Sequence, residues 1–533
     1  MSFARKPLDL VLREATDPNI DSRPALNRSL TAFHLTMLGI GGIIGAGIFS
    51  LTGTAAYEFS GPGIAYSFAI GGLLCTFAGL CYAELAAMIP VAGSAYTYAY
   101  TTLGEFVAWI IGWDLILEYT FGAVVVAIAW SGYFVELFGS LGIPIPDAAI
   151  VYCAGPFETV TLSDGSTRNG IVNLPASLVA VFAASVLYRG IRESAWVNNL
   201  IVFLKVGIIL IFILLGMGVV SGENLIANPS ASGLSQLVPP VTAIAESDWT
   251  ALDRLLHSLF GIEPSRYGWG LGGVLTGAGV VFFAYIGFDA VSTMAQETKN
   301  PQRALPIGIL GSLAICTLLY ILVSITLTGV AHYSELGVPA PIALGIDRIA
   351  SLRGFSDGAS AAFTASVKLG ALAGLTSVIL VLMLGQTRVF YAMGSDHLLP
   401  FFDRTHPRFH TPHIATFVTG SFVAIAAAIL PMSLVGELVS IGTLLAFLIV
   451  CLAVPVLRKR APDVPRGFKV KAPLLIGLLG ASACLFVMIG LPADTWLRLI
   501  IWLALGMILY FTYARRHSKL RRLRLDGESA EHG

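Results

Sequence analysis

The sequence predicts an all-α membrane protein of about twelve transmembrane helices, from its composition, its apolar stretches and its distribution of basic residues. Of 533 residues, 56% are hydrophobic and 12% charged, against roughly a quarter charged in an ordinary soluble domain. A bilayer core of about 30 Å needs roughly 20 apolar residues of helix. The runs here are long and continuously apolar, without the alternation of barrel strands, so helices are expected. Net charge is zero; the lipid bilayer is an expected partner and nucleic acid is not.

In chain order the twelve stretches are 33–56, 63–89, 104–138, 172–189, 196–221, 269–295, 304–331, 365–394, 411–430, 434–457, 472–491 and 494–513. The third is longer than one bilayer thickness and should tilt or protrude. The ninth and tenth are joined by a tight connection around Pro431. With both termini inside, the inner side carries 23 Lys and Arg, including Arg5, Lys6, Arg189, Arg192, Lys299 and Arg303, then six from Arg458 to Lys471 and six from Arg515 to Arg524. The outer side carries only Arg168, Arg254, Arg266, Arg348, Arg353 and Arg498. The opposite orientation would invert the positive-inside rule.

Segments 139–171, 222–268 and 332–364 then lie outside as loop-like connectors, with room for a short surface helix in the acidic stretch 246–263. The basic run Arg515–Arg524 falls where it would meet anionic lipid headgroups. The amino terminus is charged and polar to about Arg28, unlike a cleavable signal peptide. Cys75, Cys81, Cys316, Cys451 and Cys484 lie in apolar stretches and Cys153 in a connector, so no disulfide is expected.

Two spans should be broken. The first contains Gly39, Gly41, Gly42, Gly45 and Gly47, and each glycine costs a helix up to about 1 kcal/mol against Ala. No strand precedes this run, so it is not a nucleotide-binding loop. Close packing through GxxxG accounts for Gly41 and Gly45 but not for the other glycines. The sixth span carries Phe283-Ala284-Tyr285-Ile286-Gly287-Phe288-Asp289. Breaks in the first and sixth spans correspond if the first ten spans form two halves of five. Half-helix ends at the midplane offer free N–H groups to an anion and free carbonyls to a cation, which suits a zwitterion.

Lys205 lies deep in the fifth span, where a charge costs several kcal/mol and marks a functional site by default. It is a candidate proton carrier; the alternatives are a structural ion pair with Asp289, Glu118 or Asp114, and snorkelling to the interface. Glu118 and Asp114 share a face of the third span, and Glu118 is the deeper. Glu84 and Glu297 lie nearer the inner ends of their spans and suit gating or helix-end contacts. His397, His406, His410 and His413 share an inner loop interrupted by Pro407 and Pro412, a poor metal site. No nucleophile–base pair, P-loop or catalytic dyad is present, so neither an enzyme nor a cofactor is expected.

The chain resembles the amino acid–polyamine–organocation superfamily, and within it bacterial relatives of the cationic amino acid transporters. The matching pieces are Gly41 to Phe49, Tyr82 to Ala86, Pro90 to Tyr96, Trp113 to Tyr119, Arg192 to Ser194 with Asn198 and Asn199, Phe283 to Thr293, and Glu297 to Arg303. The resemblance implies a leucine-transporter-type fold: an inner tail (1–30), a first five-helix repeat (31–221), an outer loop (222–268), an inverted second repeat (269–457), two further helices (458–514) and a basic inner tail (515–533). It implies amino acid uptake across a bacterial inner membrane, commonly with protons. By position, the amides of Gly45, Ala46 and Gly47 would hold the substrate carboxylate, and carbonyls around Ile43, Phe283, Ala284 and Ile286 its ammonium. Lys205 stands where proton-coupled relatives place a lysine and sodium-coupled members of the fold place sodium. Glu118 matches an acidic position of the cationic branch and would join Lys205 in proton coupling, while Asp289 joins Glu84 and Glu297 as gating or structural charge. Gln296 departs from the usual acid. Uncoupled exchange of amino acids or amines, or non-transporting sensing, are alternatives. The pocket for the substrate's side chain is expected between spans three, six, eight and ten.

Overall fold

The computed structural model describes residues 5–7, 11 and 30–522, except 92, 144, 190–194, 241, 244–257, 259–266, 269, 339, 410, 490 and 492. The side chains of 195–198, 242–243, 267–268, 296–297 and 357 also lie outside the described set. The expected helix within 246–263, the Arg192–Ser194 motif and the Glu297 side chain therefore fall outside it.

The main helices are α1 (Ala32–Ile43), α2 (Ile64–Met88), α3 (Ser94–Thr102), α4 (Glu105–Ser140), α5 (Leu174–Arg189), α6 (Ala195–Met217) and α7 (Gly270–Val281). They continue with α8 (Pro301–Val330), α9 (Pro341–Leu352), α10 (Asp357–Ser395), α11 (His413–Ile429), α12 (Met432–Arg460), α13 (Pro473–Ile489) and α14 (Ala493–Leu509). Among the described residues, eight helical stretches are long and apolar enough to cross a membrane, and four shorter apolar helices of 10–17 residues accompany them. The protein is an all-helical, multi-span membrane protein. Among the described residues, strands are confined to two short antiparallel pairs, one of them β1 (Thr159–Thr161) with β2 (Thr167–Asn169).

Local chemistry sets the helix ends that matter most. Thr31 opens α1 with a reciprocal cap, its hydroxyl accepting from the His34 amide while its own amide donates to the His34 ring. Proline stands in the first turn of α8, after Asn300 in the left-handed region at φ 49°. α4 is 36 residues long, as the third stretch required. At Leu117–Phe121 it widens into a π-type turn that contains Glu118, a distortion found frequently at functional sites.

α8 packs along α2 and α1, α4 along α10, α5 against α11, and α12 against α13. Rows of exposed apolar side chains, such as Leu474, Leu478 and Phe486 on α13 and Ile500, Leu505 and Ile508 on α14, face outward as a lipid-facing surface requires. At one end of the bundle Lys6 pairs with Asp396 at 3.2 Å and Tyr96 donates to the same carboxylate at 2.8 Å. The Lys519 amide donates to the Asp396 carbonyl, so the two terminal segments meet at this end. Arg458 clasps Glu84 there through two bonds of 2.6 and 2.8 Å. Lys368 marks the opposite end, near the start of α10.

Candidate substrate site between two broken helices

Both expected breaks are present. α1 stops at Ile43 because Ile44 turns out of the helix at φ −72°, ψ 92°, and winding resumes at Gly47. α7 stops at Val281, passes through a tight turn over Phe282–Tyr285, and leaves helical geometry at Ile286, φ −59°, ψ 135°. Beyond Gly287 the chain rewinds as a tight three-residue-per-turn helix, Asp289–Glu297.

The two interruptions cross each other. A Cβ on Gly287 would lie 2.7 Å from the Gly42 carbonyl carbon, and one on Gly47 would overlap the backbone of Ala284. Gly287 also needs φ +120°, which L side chains rarely adopt. Glycine is therefore required at the crossing by space and by torsion.

The polar groups freed by these breaks have identifiable partners. Lys205, wholly buried, donates from Nζ to the carbonyls of Gly41 (2.9 Å) and Ile44 (3.2 Å). It thus caps the negative end of α1, a favourable place for a cation. Asp114, Glu118 and Asp289 are not within ion-pair distance of it, so the structural-pair alternative is not the arrangement observed. Gly374 of α10 leaves room for the lysine stem, since a Cβ there would come within 3.0 Å of Lys205 Cγ and Cε.

Tyr320 of α8 places its hydroxyl 2.6 Å from the Ile43 carbonyl oxygen and 3.0 Å from that of Ala284, linking the two breaks. The Phe283 carbonyl accepts from the Ile286 amide at 3.1 Å. Each carbonyl has a second lone pair, so these bonds leave acceptor capacity at the crossing. The amides of Gly45, Ala46 and Gly47 stand where the second half-helix begins, the positive end of its dipole.

Asp289 accepts from the Tyr119 hydroxyl and from the Gly287 amide, fixing the turn after the second break. Glu118 lies against Asp289, its carboxyl within hydrogen-bonding reach of that carboxyl. Glu84 is not bonded to this group and belongs to the clasp with Arg458, where it also accepts from the Val470 amide at 2.8 Å. Tyr320, Tyr119 and Lys368 are not singled out by the sequence. A tyrosine in an apolar run carries no local signal, because its partners are 36 to 277 residues away.

Interrupted helices that cross inside a multi-span bundle are the arrangement typical of secondary transporters. The chain belongs to the amino acid permease family, whose match covers residues 30–511, within the amino acid–polyamine–organocation superfamily. It is a transporter of that family and not an enzyme. It is 38% identical over 526 residues to the methylthioribose transporter of Bacillus subtilis (strain 168), covering 98% of this chain and 99% of that protein. It is 40% identical over 502 residues to the branched-chain amino acid permease BcaP of the same organism, covering 93% and 95%. A vacuolar cationic amino acid transporter 4 of Arabidopsis thaliana is 36% identical over 446 residues, which are 83% of this chain and 65% of the plant protein.

Proposed function

We propose that the protein is a secondary active amino acid transporter, a proton-coupled symporter working by alternating access in a bacterial plasma membrane with both termini cytoplasmic. The observation that carries the reading is the Lys205 ammonium seated on two carbonyls of the first break. A proton gained or lost at that nitrogen changes the charge that caps α1 beside the substrate amides, which couples protonation to the geometry of the site. Glu118, against Asp289, is a second proton site, because two carboxyl groups in contact need a proton between them. Sodium is not needed where Lys205 already supplies the positive charge.

In this proposal twelve spans form two inverted repeats, 31–221 and 269–457, followed by two helices within 458–514. The substrate carboxylate takes the amides of Gly45, Ala46 and Gly47; its ammonium takes carbonyls among Ile43, Phe283, Ala284 and Ile286. Glu84, Asp289 and Glu297 hold or gate the inner half. Proteoliposome uptake of a radiolabelled amino acid should follow an imposed pH gradient and ignore sodium. Lys205→Met should lose gradient-driven accumulation while keeping counterflow; sodium dependence without a pH response would sink the proposal.

A second reading has its own support, namely the match to a methylthioribose transporter over nearly the whole chain. In that case the same crossing binds a hydroxylated sugar through hydrogen bonds alone. Uptake of labelled methylthioribose that no amino acid inhibits would favour it.

A further inference from the structure

The short helix α3 is built from small and hydroxyl-bearing residues, Ser-Ala-Tyr-Thr-Tyr-Ala-Tyr-Thr-Thr, and all nine are buried. A helix at the end of a bundle ordinarily keeps a polar face in solvent, so other parts of the chain must cover this one. It is entered from Gly93 at φ +130° and left through Gly104 at φ +110°, torsions that glycine adopts readily and other residues do not. α3 thus stands between two glycine hinges.

At its start α3 meets the second broken helix: the Ser94 hydroxyl is 3.0 Å from that of Ser292, in the stretch Asp289–Glu297. Towards its end it is covered by the chain that follows α14. Tyr510, Ala514 and Ser518, which share one face of that segment, are buried. Tyr510 (3.3 Å) and Ser518 both donate to the Glu105 carboxylate, as does Tyr100 of α3 at 3.1 Å. Glu105 is 5% exposed and opens α4, where the helix dipole favours its negative charge. The Lys519 amide donates to the carbonyl of Asp396, whose carboxylate accepts from Tyr96 of α3. Residues 510–519 therefore reach α3 through both Glu105 and Asp396. The root of the segment is fixed, since Trp109 of α4 donates to the Gly506 carbonyl at 2.9 Å. Trp113 of α4 and Trp502 of α14 also donate to each other's carbonyls, at 2.8 and 3.3 Å.

We infer that α3 is a hinged shutter over the path from the crossing to this end of the protein, and that residues 510–519 are the latch that holds it closed. With the latch bonded, α3 rests on Ser292, and Ala290, Val291, Ser292 and Thr293 below the second break are all buried. Lifting the latch takes two of these three donors from Glu105 and lets α3 swing on Gly93 and Gly104. The inference rests on the alternating-access reading, in which one end opens while the other stays shut; it does not depend on the substrate or the coupling ion.

Ser292→Cys in a Cys153→Ala background reports the opening, because the five remaining native cysteines are buried. The rate at which N-ethylmaleimide modifies position 292 in the purified full-length protein, followed by peptide mass spectrometry, measures the open fraction. Tyr510→Phe together with Ser518→Ala should raise that rate at least ~10-fold, the effect of two hydrogen bonds lost from the closed state alone. Lys519→Pro removes only the amide bond to Asp396, at the first residue of a helical turn where proline is tolerated, and should raise it at least ~3-fold. Amide exchange over α9, at the opposite end, should match wild type. A rate unchanged in either variant that folds overturns the inference, and so does a faster rate accompanied by raised exchange over 341–352, which is general loosening. Faster modification in a protein whose uptake ignores the pH gradient would remove the proton coupling and leave the latch standing.

Discussion

Gly287 carries the tightest local constraint in the protein. Its φ of +120° and the 2.7 Å approach of a would-be Cβ to Gly42 act at the same point. A strained backbone of this kind costs about 1–3 kcal/mol, before any displacement of α1. Gly287→Ala should therefore lower the thermal midpoint and abolish amino acid binding together; a variant with an unchanged midpoint would contradict the crossing. Glu158, in the segment before β1, shows a different balance. Burial pushes its carboxyl up, while the amides of Gly155 and Met432 pull it back. The fold thus favours the neutral form, whose contribution is complete below the unfolded value and is lost as pH rises through the raised folded one. Glu158→Gln should gain on wild type in thermal midpoint as pH rises from about 4 to 7. A difference constant with pH would count against this account.

At the scale of elements, the sequence announced the breaks because five glycines and a Gly-Phe-Asp turn are legible without partners. It could not announce what ties the elements together. Lys368 is 2% exposed and donates to Ser140 at 2.7 Å, with Glu136 and Asp347 each at 3.5 Å. It joins α10 to the far end of α4 and to α9, whose N-terminal Pro341 lies close against Gly53 of the broken first span. Such a contact depends on three separate segments arriving together, and no run of sequence records it. The same holds for Lys205: its depth was readable, whereas its seat on the carbonyls of Gly41 and Ile44 was not. Lys368→Met should loosen α9, seen as faster amide hydrogen exchange over 341–352; protection equal to wild type would refute the tether.

For the whole molecule, charge asymmetry argued the orientation, and the cysteines offer a check. All six are free, five are buried, and Cys153 is half-buried in the segment expected outside. A membrane-impermeant maleimide should label right-side-out vesicles at Cys153 and leave Cys153→Ala unlabelled. Burial pushes the Cys153 thiol up, so the reaction should quicken with pH. Labelling confined to inside-out vesicles would reverse the assigned orientation. What the sequence left open at this scale is the substrate, because backbone groups at the proposed site would read only what all amino acids share. The most direct test of the central claim is a thermal-shift comparison of one bound amino acid with its decarboxylated amine and its α-hydroxy acid. At 100 times its dissociation constant the amino acid should stabilise the protein by about 2.7 kcal/mol, and each analogue, lacking one pole, should give far less. Equal stabilisation by either analogue would show that the crossed helices do not hold both ends of the substrate.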